Sequence, residues 1–307
     1  MSHIELPTLG FGGAPLGNLF ESIDEQIARD TVDAAWEAGI RLFDTAPLYG
    51  SGLSERRLGD ALRDRPRNDY VLSTKVGRLL RPGADPDSLF RDTPALHSVF
   101  DFSRDGVLRS LESSLDRLGT DRIDIVHVHD PDDHLDQAIA ESIPALVELR
   151  DQGVIGAVGC GMNSTSPFIR IVDEADLDVV LIAGRYTLLD RSAGSELLPL
   201  CAERNVQVIA GGVFNSGLLA DPDANRTFDY VEAPSETVER ALLLAHRCRT
   251  YDIPLAAAAI QYVLRHPAIT SVIFGVRSRH EIETDVSAAN MNIPDALWDE
   301  LEVGSTS

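Results

Sequence analysis

Short apolar runs alternate with longer amphipathic ones along the whole chain, and this rhythm restricts the available folds more than any other feature. The runs fall near 9–13, 41–44, 70–74, 123–129, 155–160, 179–182, 206–210 and 271–274. Helical patterns lie between them, near 24–38, 54–63, 104–119, 137–151, 166–175, 194–204 and 235–265. The 104–119 segment shows the logic: Ser103 is placed to cap it, Val107, Leu108, Leu111, Leu115 and Leu118 recur at helical spacing, and Gly119 stops it. Eight strands alternating with helices predict an α/β chain whose right-handed units close into a (β/α)8 TIM barrel. An open doubly wound sheet is the alternative, and it usually carries a Gly-rich turn running from the first strand straight into a helix. Here Gly10-Phe11-Gly12-Gly13-Ala14-Pro15 has proline where the third glycine belongs, and no helix starts until about Asp24. The segment therefore reads as a strand leading into a flexible loop. No linker interrupts the pattern, so residues 1–307 form one domain. Two loops are longer than a barrel needs, 76–103 after the third strand and 211–234 after the seventh, and they read as lids or cofactor clamps.

Charge narrows the partners. A formal net charge of −22 repels phosphate backbones and anionic lipid, which argues against nucleic acid and membrane surfaces. Cys160, Cys201 and Cys248 are odd in number and widely spaced, as reduced, buried thiols of a cytoplasmic protein would be. The start, Met1-Ser2-His3-Ile4-Glu5, lacks the basic and apolar regions of a leader, and no apolar stretch is long enough to span a bilayer. A monomer is permitted by the fold.

In a barrel of this kind, functional groups gather at the C-terminal ends of the strands. Asp44, Lys75 and His129 end the second, third and fourth strands, and Tyr49 opens the helical region after the second. Adjacent strand ends lie about 5 Å apart, so the side chains can meet. An adjacent ammonium favours phenolate, an aspartate keeps that ammonium charged, and an imidazole orients an oxygen beside the phenol. Taken singly, each residue is readily structural: a helix cap, a charge at the barrel mouth, a packed ring. Four in consecutive units make a candidate proton-transfer site, suited to an oxygen whose carbon exchanges hydride.

Two other chemistries are weighed. His127 and His129 face the same way on one strand, as metal ligands can. The fifth, sixth and eighth strands (Val158-Gly159-Cys160, Leu181-Ile182-Ala183, Val272-Ile273-Phe274) supply no further ligand, so no metal is expected, and His127 reads as a deeper, hydrogen-bonded interior residue. A strand-end lysine also suits a Schiff-base aldolase. Such a lysine needs a lowered pKa, and an aspartate partner works the other way.

These residues resemble the aldo-keto reductase family. Asp44-Thr45-Ala46-x-x-Tyr49-Gly50, Ser73-Thr74-Lys75, Leu118-Gly119-x-Asp121-x-Ile123-Asp124 and His129-x-Pro131 match its motifs in order and spacing, over nearly the whole chain. The resemblance implies a nicotinamide-dependent oxidoreductase of small carbonyl or hemiacetal substrates. Tyr49 would be its proton donor or acceptor, Lys75 would lower the tyrosine pKa, Asp44 would anchor Lys75, and His129 would position the substrate oxygen. The runs at 72–80, 99–106 and 214–219 are similar to the branch of L-fucose or D-threo-aldose 1-dehydrogenases, L-galactose dehydrogenase-like enzymes and pyridoxal 4-dehydrogenases. That branch implies oxidation of a cyclic hemiacetal, on an aldose or on pyridoxal, to a lactone, with general aldehyde or ketone reduction as a further alternative. The cofactor contacts it implies are Asn163, Phe214, Asn215, Ser216, Gly217, Leu218, Gly275, Arg277, Glu281 and Asp285. Where members that prefer NADP place lysine and arginine for the 2′-phosphate, this chain has Gly275 and Glu281, which implies NAD over NADP. The family's glutamine after the sixth strand falls on Ala183, and its nicotinamide-stacking tyrosine falls on Gly211. Phe20, Phe90, Phe100 and Phe102 are candidates for an aromatic substrate slot.

Overall fold

The eight apolar runs pair side by side, all parallel, into a closed barrel in the computed structural model, which describes residues 4–86 and 88–303. The first three positions of the leader reading, Asp87 in the first long loop and 304–307 lie outside the described residues. In chain order the strands are β1 (Leu9–Gly12), β2 (Leu42–Asp44), β3 (Val71–Val76), β4 (Arg78–Pro82), β5 (Leu96–Phe100), β6 (Ile123–His129), β7 (Ile155–Met162), β8 (Val179–Ala183), β9 (Gln207–Gly211), β10 (Thr227–Phe228), β11 (Val231–Glu232) and β12 (Ile269–Gly275). The barrel runs β1-β12-β9-β8-β7-β6-β3-β2 and closes on itself.

Strand alternation divides the core in two. Leu42, Ile125, Ala157, Val179, Leu181, Ile209 and Ile273 fill the barrel interior, with Leu6 from the segment before β1. Their neighbours Phe43, Val126, Val158, Val180, Val208 and Phe274 point outward into a larger layer beneath the helices. The inward series turns polar toward the C-terminal ends: Leu42 is followed by Asp44, Ile125 by His127 and His129. The barrel therefore rests on an apolar plug and presents its polar groups at one mouth.

Local signals behave as the sequence implies where caps are strong. The helix Arg104–Leu118 begins at Ser103, whose Oγ accepts the Gly106 amide, and ends at left-handed Gly119. Four features differ from expectation. The predicted helix over 235–265 is two, Ser235–Arg249 and Leu255–Leu264, because Pro254 cannot continue the first and suits the start of the second. Helices Arg279–Ala289 and Asp295–Val303 complete the chain beyond the last predicted pattern. The loop after β1 is not featureless: Ala14–Gly17 makes a 3-10 turn. Finally, the long loop after β3 carries the antiparallel hairpin β4–β5, and that after β9, the seventh barrel strand, carries β10–β11.

Candidate active site

Register brings the four proposed catalytic residues to one flank of the mouth. β2 pairs with β3 through Asp44↔Ser73, and β3 pairs with β6 through Lys75↔His127. Lys75 Nζ donates to Asp44 Oδ2 at 2.6 Å and to the Thr45 carbonyl at 2.9 Å, while Ser73 Oγ donates to Asp44 Oδ1 at 2.8 Å. Asp44 is 2% exposed and Lys75 1%, so neither charge is stable without the other. Burial works against the Lys75 charge, but Asp44 and the nearby Tyr49 hydroxyl outweigh it and hold the ammonium above the usual lysine range. A permanently charged lysine cannot act as an amine nucleophile, so the Schiff-base alternative falls.

Tyr49 is set by a close backbone crossing. A Cβ on Gly17 would lie 2.5 Å from the Tyr49 carbonyl carbon, and one on Gly50 would lie 2.4 Å from the Gly17 oxygen. Two glycines thus let the loop after β1 press against the turn that carries the phenol. Lys75 Nζ lies 4.7 Å from the Tyr49 ring centroid, and the His129 ring meets Tyr49 edge-on at 5.9 Å. Burial raises the Tyr49 pKa to about 12, against the opposing pull of Lys75. Lys75 pulls the phenol down, as the resemblance implies, but in a site this dry desolvating a phenolate costs more than one ammonium returns, and the net shift is upward. Burial, reinforced by Arg78 and Lys75, holds His129 well below the usual histidine range, so it is a neutral imidazole at physiological pH.

His127 lies deeper, as expected, but is not well hydrogen-bonded. Apart from an approach to the Cys160 backbone, neither ring nitrogen finds a partner. Its ring occupies the space over Gly159, where a Cβ would come within 2.2 Å of Nδ1. Burial, with the Lys75 ammonium on the neighbouring strand, holds His127 well below the usual histidine range, so the imidazole stays neutral.

The aromatic slot is half as expected. Phe90 faces Tyr49 at 6.1 Å, and Phe20 faces Tyr230 at 6.2 Å. Phe102 is buried and Phe100 stacks on it at 5.6 Å, so this pair packs the hairpin β4–β5 instead. The two loops bearing Phe20 and Phe90 are joined by the Phe20 amide donating to the Leu89 carbonyl at 2.9 Å.

The proposed cofactor residues occupy the opposite flank. Asn215, Ser216 and Gly217 adopt successive left-handed conformations after β9. Asn215 is buried, and its Oδ1 has no donor. Leu218 is fully buried and Phe214 packs on the core, its carbonyl accepting the Gly217 and Leu219 amides, so these two shape the turn rather than offer side chains to a ligand. Ser216 Oγ accepts the Tyr230 amide at 3.0 Å, tying this turn to the hairpin β10–β11. Gly275 ends β12, opposite Gly12 of β1, and the helix Arg279–Ala289 starts four residues later with its N-terminus at the mouth. An orphaned buried acceptor, a left-handed turn and a helix N-terminus fit a dinucleotide with its amide and phosphates. Asn163 is exposed after β7, and the structure engages its carbonyl, held by Arg185 Nε at 2.7 Å.

Arg277 and Glu281 hold each other. Glu281 accepts the Arg277 amide at 2.7 Å and its guanidinium at 3.3 Å, and Arg277 also pairs with Glu21 at 2.8 Å. Asp285, one turn beyond Glu281, is buried, and burial with the Glu281 charge raises its pKa to about 7.

Three contributors were not singled out from sequence. Arg185 bridges Asn163, Asp190 and Asp229, fastening the loops after β7, β8 and β9. Arg78 and Asp130 form an ion pair beside His129. Tyr230 reaches the mouth from the hairpin β10–β11. Only the alternation of aromatic and charged residues in these loops hinted at them.

Residues 8–303 match the Aldo/keto reductase family. The chain is 44% identical to a D-threo-aldose 1-dehydrogenase of Pseudomonas sp, over 97% of this chain and 94% of that protein. It is 41% identical to a pyridoxal 4-dehydrogenase of Microbacterium luteolum, over the same shares of each. Among solved structures, the holo form of an aldo-keto reductase from Bacillus halodurans superposes with a TM-score of 0.78 at 29% identity, covering 96% of this chain and 90% of that one.

Proposed function

The chain belongs to the aldo-keto reductase family of oxidoreductases, and we propose that it oxidises the hemiacetal carbon of an aldose to a lactone with NAD. The observation that carries this reading is the buried Asp44–Lys75 pair beside Tyr49 and His129. The relatives named above act, by name, on an aldose and on pyridoxal, which supports a hemiacetal substrate and leaves pyridoxal as the second reading.

A bound nicotinamide supplies a two-electron acceptor for the hydride leaving the substrate carbon. The chain supplies the rest. His129, neutral, donates an N–H to the reacting oxygen and fixes it beside Tyr49. Tyr49 takes the hydroxyl proton as the C–H bond breaks, and the Lys75 ammonium stabilises the phenolate that must exist just before. Asp44 keeps Lys75 charged and aimed. Phe20, Phe90 and Tyr230 help exclude water from the mouth.

The preference for NAD rests on Arg277. Its guanidinium is already held by Glu21 and Glu281, so a 2′-phosphate would have to displace two carboxylates and then sit beside them. Glu281 is correspondingly less free to receive ribose hydroxyls than its position alone implies. Three buried, unpaired thiols support a reducing, cytoplasmic setting, and among the described residues no helix is long and apolar enough to cross a membrane.

The test is the appearance of reduced nicotinamide, with NAD or NADP, across L-fucose, D-arabinose, L-galactose, D-glucose and pyridoxal. Turnover of an aldose with NAD is the expected result. Turnover of pyridoxal alone would move the substrate and keep the chemistry, and silence across the panel would overturn the reading.

A further inference from the structure

Asp130 follows His129 at the end of β6 in a left-handed conformation (φ 46°), its amide held by the Gly161 carbonyl at 2.9 Å. Its Oδ2 lies 2.8 Å from an Arg78 guanidinium nitrogen and 3.5 Å from His129 Nε2. Arg78 is itself fixed, with its guanidinium 4.4 Å over the Phe100 ring and its side chain mostly buried. The pair is not a closed structural ion pair. It joins through one nitrogen and one oxygen, Arg78 Nε is buried with no acceptor, and among the described residues Asp130 Oδ1 receives no hydrogen bond. A third of the Asp130 side chain remains open. A rigid, half-satisfied carboxylate therefore stands one residue from the imidazole that would hold the reacting oxygen.

We propose that Asp130, clamped by Arg78, is the specificity-determining acceptor for the hydroxyl on the carbon next to the reacting one, which makes the substrate a polyhydroxylated hemiacetal. This rests on the hemiacetal reading above and narrows it. Vicinal hydroxyls of a sugar lie within hydrogen-bonding reach of one another, so an oxygen held by His129 brings its neighbour to Asp130. The rest of the mouth suits the same molecule. Phe20, Phe90 and Tyr230 offer ring faces to the C–H side of a pyranose or furanose, while Asp130 and Arg78 meet its hydroxyl rim. Pyridoxal has no hydroxyl on the carbon next to the reacting one; its acidic phenol oxygen sits one carbon further, where a fixed carboxylate repels its ionised form. Sugar phosphates and sugar acids would meet the same carboxylate, with Asp229 close by on the Arg185 side.

The experiment pairs a variant with a substrate lacking the group. Asp130→Gly suits the left-handed backbone and removes the carboxylate without strain, and Asp130→Asn keeps the shape and removes only the charge. Each is compared with the unaltered chain on L-fucose against 2-deoxy-L-fucose and on D-arabinose against 2-deoxy-D-ribose, with NAD. In the unaltered chain each hydroxylated sugar should exceed its deoxy partner roughly 10- to 100-fold in kcat/KM, the range of a hydrogen bond to a charged group. Asp130→Gly should lower the hydroxylated sugars to the level of their deoxy partners, chiefly through KM. The deoxy sugars should change less than about threefold, and Asp130→Asn should fall between. Equal losses on both members of a pair would mean that Asp130 acts only on His129 or on the fold, and would overturn the proposal. No loss on either would overturn it too. Failure of the hemiacetal-sugar reading itself shows separately, as absence of sugar turnover in the unaltered chain before any residue is changed.

Discussion

The two flanks of the barrel mouth are built on opposite principles. On the β2–β3–β6 flank the central ion pair is buried and satisfied within the chain: the Lys75 ammonium has a carboxylate and a carbonyl, and Asp44 has the lysine and the Ser73 hydroxyl. On the β9–β12 flank the polar groups are incompletely or provisionally matched. Asn215 Oδ1 has no donor, and Arg277 divides itself between two carboxylates at the surface. The first flank bears the cost of desolvation at folding and is ready before substrate arrives. The second leaves partners to be supplied or exchanged, as suits a site for a polar dinucleotide. Damage to the first should therefore be large and indifferent to the cofactor, and damage to the second smaller and selective for it.

The largest expected effect is at the phenol. Tyr49→Phe should lower kcat for oxidation by about three orders of magnitude, with the cofactor Kd, read by fluorescence titration, nearly unchanged. The pH profile sharpens the point. Because burial raises the Tyr49 pKa to about 12, the phenolate needed for oxidation is scarce at neutrality. The oxidation rate of the unaltered chain should climb roughly tenfold per pH unit from pH 7 toward alkaline unfolding, and the residual rate of Tyr49→Phe should not. A plateau below pH 9 would mean that bound cofactor or substrate lowers the phenol more than burial raises it.

Next is the buried pair. Asp44→Asn leaves the Lys75 ammonium in the barrel interior without a counter-charge, a loss of about 3–5 kcal/mol of stability. Thermal unfolding should come roughly 10 °C lower, and activity should fall with it. A variant that melts like the parent would show that Lys75 sheds its proton once Asp44 is gone, so that no uncompensated charge is left in the barrel.

The same contrast explains what was legible in the sequence. Asp44, Lys75 and His129 end inward-facing strand positions, where a period of two and an apolar run fix direction, so their convergence could be read from spacing. Tyr49 came with them because a glycine-rich turn leaves the phenol little freedom. The sign of its pKa shift was not legible, since it depends on how dry the pocket is rather than on which residues line it. Arg78 and Tyr230 were missed because hairpins β4–β5 and β10–β11 place them, and the pairing of short loop strands leaves a weak pattern; Asp130 was missed because a left-handed turn after β6, held by the Gly161 carbonyl, sets its direction. The separation of the helices at Pro254 was legible and passed over: one proline in an alanine-rich stretch ends a helix more surely than the apolar pattern continues it.

On the second flank, Glu281→Arg should release Arg277 from one carboxylate and add a second cation. The ratio of kcat/KM for NADP to that for NAD should rise about tenfold, the scale of one charge-assisted phosphate contact. Catalysis with saturating NAD should be nearly unaltered, because Glu281 touches neither Lys75 nor Tyr49. An unchanged ratio would mean that the adenosine end of the cofactor does not reach this helix N-terminus.

Asp285 offers the mildest test, and one in which the sign matters. Its folded pKa of about 7 lies above that of an aspartate in the unfolded chain, so between roughly pH 4 and pH 7 the folded state holds a proton that the unfolded state has lost. Stability attributable to this group is therefore greatest at low pH and declines as pH rises through 7, the reverse of a salt-bridged carboxylate. Asp285→Asn removes the titration while keeping the shape. Its advantage over the parent in chemical denaturation should grow from pH 5 to pH 7, level off above, and reach on the order of 2 kcal/mol. Bound NAD adds a second reading. If the adenosine end donates a hydrogen bond to this carboxylate, saturating cofactor should favour its charged form and shrink the pH 8 advantage of the variant. An advantage that is the same with and without cofactor would assign Asp285 to the packing of its helix alone, and would confine the dinucleotide-selective part of the flank to Arg277, Glu281 and the turn at Asn215.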